Sequence, residues 1–242
     1  ECDIGTTSND CNGNAIPDEC EAAARLYVDS AATGLDDGSG WDDAYVDLQS
    51  ALCIAAAYPG DVDEIWVAAG TYKPDGGTGD RLATFNLVTG VELYGGFAGD
   101  ETDLSQRDWS ANVTILSGDL TGNDGPDFAN YDENSYHVTS AIGVDMTARI
   151  DGFTITAGCA NGPSPHDRGA GMYAVGGYPM IRNCIFLANW AALGGGIYTE
   201  NGDPDVEDTN FNDNRADDDG GAVHNNNGNP RFGNTRSEEH TS

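Results

Sequence analysis

Residues 10–21, DCNGNAIPDECE, carry oxygen-bearing groups at the spacing of a calcium loop. Counted from Asp10, positions 1, 3, 5, 7, 9 and 12 are Asp10, Asn12, Asn14, the Ile16 carbonyl, Asp18 and Glu21. Ca²⁺ takes about six to eight oxygens, and this spacing can aim them at one centre. Ala15 stands where such a loop carries its turn glycine. The competing reading is a solvated acidic linker. Ile4, Ala15 and Ile16 cannot bury a core, so order in this segment must come from metal, a disulfide or docking on the rest of the chain. The ending "ECE" (19–21) repeats "ECD" (1–3), which suggests that the chain opens inside a tandem array.

Other side chains offer less. Asp119, Asn123, Asp124 and Asp127 in GDLTGNDGPD could form a second cation loop or a plain polar turn. Asp217, Asp218 and Asp219 are expected to be solvated at a repeat corner. His137, His166, His224 and His240 form no zinc spacing. Cys2, Cys11, Cys20, Cys53, Cys159 and Cys184 are compatible with an oxidising compartment. Cys2–Cys11 and Cys11–Cys20 bridges are both open, Cys53 could be plain core, Cys184 reads as a buried thiol, and a Cys159–Cys184 bridge is not expected. Arg149 and Arg182 could line a groove, yet no spacing ties any arginine to particular acids.

The chain has 242 residues, with 41 acids against 10 bases and a net charge of −31. Such a surface repels nucleic acid and anionic membrane. It suits salt or bound divalent cations, which screen the self-repulsion. No apolar run approaches the roughly 20 residues of a membrane span.

What must position these groups is a repeat. GAGMYAVGGYPMIRNCIFLANWA from Gly169 aligns without gaps on GGGIYTENGDPDVEDTNFNDNRA from Gly194, a shift of 25 residues. Gly171 meets Gly196, Tyr173 meets Tyr198, Pro179 meets Pro204, Phe186 meets Phe211 and Asn189 meets Asn214. Cys184 falls with Phe153 and Thr209, and Cys159 with Trp190. A third copy starts at Asp219. There Gly221 is expected to extend the glycine column, His224 to match Thr199 and point outward, and one inserted residue to precede Pro230. The units are rich in Gly, Asn, Asp and Pro, and their short apolar alternations are too brief for paired helices. They predict short strands stacked about 4.8 Å apart, one coil per repeat, in an all-β parallel solenoid. Upstream, 65–67, 85–87, 91–93 and 114–116 read as strands of irregular early coils, with 73–81 and 118–135 as protruding loops. Ser39-Gly40-Trp41-Asp42 reads as a capping box, followed by Trp41, Tyr45, Leu48, Leu52 and Ala55 at helical spacing, a helix that would cover the end of the stack.

GGGIY and GGAV alternating with FLAN and FNDN resemble the paired GG-apolar and F-x-x-N motifs of polymorphic outer-membrane-protein repeats. YVDSAATGLDDGSGWDDAYVDLQSAL, DEIWVAAGTYKP, VELYGGFAGDET and TILSGD resemble the N-terminal coils of secreted bacterial proteins of the pectate-lyase-like superfamily. Both resemblances imply a right-handed parallel β-helix. Residues 10–21 also look like thrombospondin type 3 calcium repeats, with Cys20 just before the last acid. RSEEHTS (236–242) is similar to a translated sequencing adapter, which implies a metagenomic fragment whose natural sequence continues beyond Thr235.

The expected organisation is therefore a Ca²⁺-binding repeat segment (1–24), a β-helix (25–235) and an adapter-derived tail (236–242). The expected function is a secreted or cell-surface scaffold with an adhesive, structural or glycan-binding role and a polysaccharide or other surface ligand as partner. The alternative is a polysaccharide lyase or glycoside hydrolase. Three carboxylates and one arginine in a long groove on one sheet face would favour the enzyme, and a smooth stack with scattered acids the scaffold.

Overall fold

The structure is a computed structural model that describes residues 10–238. Cys2, the 1–3 repeat and His240 lie outside the described residues. Strands dominate, helices are few, and every ladder between strands is parallel. Four sheets share the strands. The seven-stranded sheet runs Arg25–Val28, Glu64–Ala68, Glu92–Phe97, Arg149–Asp151, Met180–Arg182, Asp205–Glu207, Arg231–Gly233. The six-stranded sheet runs Gly70–Tyr72, Thr114–Ser117, Phe153–Thr156, Ile185–Leu187, Asn210–Asn212, Arg236–Glu238. A five-stranded sheet ends in Met172–Val175, Ile197–Glu200 and Val223–Asn226, and a three-stranded one holds Cys159–Ala160, Trp190–Leu193 and Arg215–Asp219. From Met172 onward the chain visits the five-, seven-, six- and three-stranded sheets in that order and then starts again. This pattern fits a parallel β-helix.

Register explains the residue choice. Leu26, Ile65, Leu93, Ile150, Ile181, Val206 and Phe232 occupy one column of the seven-stranded sheet. The first six are buried and form part of the main core, and Phe232 is exposed. Phe186 stacks on Phe211 with centroids 5.1 Å apart. Gly171 pairs as expected, because a Cβ there would stand 2.5 Å from the Gly196 carbonyl oxygen. The corner between the seven- and six-stranded sheets repeats Gly152, Asn183, Asp208 and Asn234, all at φ between 48° and 83°. Gly, Asn and Asp are the residues that enter the left-handed region at least cost.

The third copy departs from expectation. Ala191 pairs with Ala216 but Leu193 with Asp219, so the extra residue sits in an exposed bulge within Arg215–Asp219 and not just before Pro230. Beyond it the shift is 26 residues. Ile197 pairs with Val223 and Tyr198 with His224, so Gly196 lies over Ala222, and Gly221 moves under Gly195. A bulge costs least on this solvated acidic strand, where no core side chain changes face. His224 is 21% exposed at its side chain, stacks on Tyr198 at 5.4 Å, and extends a Tyr173–Tyr198 stack. Arg236–Glu238, assigned from sequence to the tail, pairs with Asn210–Asn212.

The N-terminal helix also differs. It spans Leu48–Ala57, capped by the Asp47 side chain, which accepts from the Gln49 N–H at 3.0 Å. Trp41 and Tyr45 stand outside it. Trp41 is held instead in an aromatic cluster with Tyr27, Trp66 and Phe97, and its Nε1 donates to the Glu101 carbonyl at 2.8 Å. Tyr45 forms a backbone bridge with strand Arg25–Val28. Tertiary packing thus overrides the capping-box signal. The helix presses Leu48, Ala51, Ile54 and Ala55 into the main core beside Leu26 and Val28.

Asn189 and Asn214 form a buried ladder. Asn189 Nδ2 donates to the Ile155 carbonyl (3.0 Å) and to Asn214 Oδ1 (2.9 Å), while its Oδ1 accepts from the Gly158 N–H (2.9 Å). Asn189→Ala would strand these partners without water, and each buried orphan costs about 1–3 kcal/mol. Denaturant unfolding should show the variant less stable by about 2–4 kcal/mol. A loss well under 1 kcal/mol would mean that the ladder is not a structural determinant.

Candidate functional site

Three places bring chemically capable side chains together. The first is the N-terminal acidic segment, fastened to the stack by a Cys11–Cys53 disulfide. This replaces both bridges expected for Cys11, and Cys53 is a half-cystine on the exposed side of its helix and not core. Cys20 is disulfide-bonded too. Cys159 and Cys184 are buried free thiols, and burial pushes both up to about 12.

Of the six residues proposed as ligands, three converge. Asn14 Nδ2 donates to Glu21 Oε1 at 2.7 Å, and Asn12 Nδ2 lies 3.4 Å from the same oxygen. Asp10 is turned onto its own loop, where its carboxylate accepts from the N–H groups of Gly13, Asn14 and Ala15. Ile16 donates its N–H to Asn14 Oδ1 at 2.7 Å. Asp18 is fully buried and accepts from the Cys11 N–H at 2.8 Å. Ala15 makes the turn at φ 68°, a conformation glycine would adopt with less strain. Glu21 is 6% exposed, its Oε2 has no partner, and burial raises its pKa, opposed by the two asparagines. The Tyr45 hydroxyl, fully buried, is likewise without a partner and shifted upward by burial and by surrounding acids. Glu21 Oε1 thus faces amide nitrogens, whose oxygens are taken by the Asn14 and Ile16 N–H groups, so as arranged here the three residues form a hydrogen-bonded cluster.

The second place is the loop after Thr114–Ser117. Asp119 and Asp124 do come together, but the third partner is Glu133, and the three carboxylates place oxygens within 4.8 Å of one another. Asn123 contributes backbone only, its N–H reaching Asp119 Oδ1 at 3.2 Å and its carbonyl accepting from Asn130. Asp127 is exposed at φ 55°. Glu133 was invisible to spacing, since a short 3-10 turn, Tyr131–Glu133, folds it back. Asp124 Oδ1 and Glu133 Oε2 are buried without partners. Burial first, then Asp119 and Glu133, raise Asp124 to about 6.

The third place is a groove of about 780 Å³ on the seven-stranded sheet. One register column there reads Arg25, Glu64, Glu92, Arg149, Met180, Asp205, Arg231. Met146, Tyr178 and Met180 give the groove apolar surface, with Asp63, Glu64, Glu92, Asp203, Asp205 and Arg231 around it. The carboxylates have individual partners: Glu64 takes Arg25 and Trp66 Nε1, both at 2.9 Å, Glu92 takes the Tyr94 hydroxyl at 2.6 Å, and Asp205 takes Arg182 at 2.6 Å. Among the described residues, no three of these acids place oxygens within 4.8 Å of one another.

Arginine pairing was not legible from spacing. Asp151, fully buried, receives Arg107 (2.5 Å), Arg149 (2.7 Å) and Asn183 (2.9 Å). Arg149 lies two residues away on the same strand, while Arg107 and Asn183 sit 44 and 32 positions away and reach Asp151 only through the fold. His137 and His166 also meet, Nε2 to Nδ1 at 3.1 Å, with His137 lowered to about 4 by burial.

The Chlamydia polymorphic membrane protein (Chlamydia_PMP) repeat profile matches residues 208–226. That stretch holds Phe211 and Asn214 of the F-x-x-N motif and the Gly220–Val223 motif, and spans about three quarters of one repeat. No curated protein and no solved structure matches the chain.

A raised folded-state pKa means that the folded protein holds the Asp124 proton more tightly than the unfolded chain does. The contribution is complete below the ordinary value near 3.8 and lost as pH rises through about 6. In chelator, Asp124→Asn should therefore be more stable than the parent near pH 7 and match it near pH 4, in equilibrium unfolding. Parallel pH profiles would show that Asp124 is not the strained group.

Proposed function

We propose that the chain is a right-handed parallel β-helix exported to a bacterial cell surface or secreted, a scaffold that binds glycan along its sheet groove and Ca²⁺ through its N-terminal segment. The groove carries this reading. Its Tyr178 and Met146 are 44% and 70% exposed, an apolar face for the flat side of a sugar ring. Its five acids against Arg231 suit hydroxyl-rich neutral or amino sugars and repel polyuronates. The resemblance to polymorphic membrane protein repeats supports the surface location.

Glycoside hydrolysis is a second reading, because Glu64, Glu92, Asp205 and Arg231 do share one sheet face. Against it, Glu64, Glu92 and Asp205 are each engaged by a partner of their own. General acid–base work needs a free pair at a set separation.

Calorimetric titration with neutral, amino-sugar and polyuronate oligosaccharides tests the groove. Neutral or amino sugars should bind, and Tyr178→Ala should weaken them about tenfold, of the order lost with a central aromatic anchor. Preference for polyuronate, or no binding across the panel, would overturn the assignment. Release of reducing ends that stops in Glu92→Gln would move the protein to the hydrolase reading.

A further inference from the structure

We propose that Asp119, Asp124 and Glu133 form a Ca²⁺ site that closes the protruding loop 118–135 onto the stack. The site is separate from the N-terminal segment, and nothing in it rests on the glycan groove.

Each of the three acids gives one oxygen to the fold and keeps the other in reserve. Asp124 Oδ2 accepts from Asn134 Nδ2 at 2.8 Å, and Asp124 Oδ1 has no partner. Glu133 Oε1 accepts from the Thr121 hydroxyl, and Glu133 Oε2 has no partner. Asp119 Oδ1 takes the Gly122 and Asn123 N–H groups at 2.6 and 3.2 Å, whereas Oδ2 meets only the Asp124 N–H, at 3.4 Å. Donors on one oxygen fix the aim of the other, as they do for carboxylates that ligate a metal. One oxygen from each acid lies within 4.8 Å of one from each of the other two. Oxygens held by a single Ca²⁺ at about 2.3–2.6 Å stand at most about 4.6–5.2 Å apart, so the acids already have the spacing of ligands on one ion. Three carboxylates are a hard, all-oxygen set, which suits Ca²⁺, with water completing the shell.

A second observation does not come from the acids. Asn134 is fully buried, and the amide that touches Asp124 leaves its own Oδ1 without a partner. Its Nδ2 also donates to the Ala157 carbonyl at 2.7 Å, which settles which end of the amide is nitrogen. Ser135, fully buried too, has an unpartnered hydroxyl. Among the described residues, four of the seven buried side-chain atoms without partners therefore fall within residues 124–135. Buried polar atoms are satisfied as a rule, so this concentration points to a partner from outside the chain.

Lys73 is the cation that the chain itself brings near. Its Nζ donates to the Leu120 carbonyl at 3.2 Å, and among the described residues it joins no ion pair. One charge at that remove leaves Asp119, Asp124 and Glu133 repelling one another. Asp119 follows the strand Thr114–Ser117, and Glu133 ends the turn Tyr131–Glu133, so an ion here ties the two ends of the loop together.

The test uses the full chain, in chelator and in Ca²⁺. Ca²⁺ should give a calorimetric binding event and move the ¹⁵N amide resonances of residues 119–134. Glu21→Gln, in the N-terminal segment, should leave that response in place. Glu133→Gln, checked for fold by circular dichroism, should weaken the binding about tenfold or more, because one of three charged ligands is lost. The stability order should also reverse near pH 7. In chelator Asp124→Asn should unfold at a higher denaturant concentration than the parent, and in saturating Ca²⁺ at a lower one. A purely structural Asp124 would keep one order in both. Shifts confined to residues 10–21, or equal responses from the parent and Glu133→Gln, would overturn the site.

Discussion

Each strand in this chain can satisfy its backbone only through the strand one turn before and the strand one turn after. Strands of two to six residues have no other supply of partners, and water is excluded from the inner face. Parallel pairing at a fixed spacing then forces every residue to stack on its own counterpart. A column becomes the unit of design. An aliphatic column is stable because like packs on like, from Leu26 through Ile65, Leu93, Ile150 and Ile181 to Val206. A glycine column exists where backbones approach too closely for a Cβ, and a mixed Gly, Asn and Asp column where the chain turns through the left-handed region.

The same constraint is awkward for charge. In a chain of net charge −31, acids stacked on acids repel, and the outer columns show how the fold avoids it. In the groove column Glu64 does stack on Glu92, but Arg25 and Arg149 flank that pair and Arg231 follows Asp205. Asp151 draws in Arg107 from a protruding loop and Arg149 from its own strand. Arg182 reaches both Asp205 and Glu207. Aromatic faces help, with Arg25 over Trp66 and Arg107 over Tyr94 and Trp109. The nine arginines and one lysine are therefore spent mainly on structure, and among the described residues Glu21, Asp124 and Glu133 join no ion pair, with Lys73 acting on Asp124 only at longer range.

This arrangement separates two kinds of surface. The groove is a regular product of the stack, since its side chains recur at one register position on successive turns. Its chemistry can change by substitution without disturbing the core, which lies one residue along each strand on the opposite face. The N-terminal segment is irregular and almost without apolar side chains. It owes its place to the Cys11–Cys53 bridge, to Asp18 beneath Cys11, and to the contacts of Asn12 and Asn14 with Asp36.

The sequence by itself determined the repeat and much of its register. Gly171 over Gly196, Phe186 over Phe211, Asn189 over Asn214 and Cys184 beside Thr209 all follow from a 25-residue shift, because parallel stacking converts sequence period into spatial contact. It also picked out Asn12, Asn14 and Glu21, whose spacing lies within one short loop. Tertiary structure decided what period and local spacing cannot encode. The extra residue of the third copy settled in the exposed Arg215–Asp219 bulge, because core columns on either side resist a slip. The helix began at Leu48 because Trp41 is worth more to an aromatic cluster formed with later coils. Glu133 joined Asp119 and Asp124, Asp151 gathered Arg107, and Cys11 found Cys53, all through chain reversals. Contacts between distant, non-repeated segments leave no periodic trace, and only the folded path of the backbone brings them within reach.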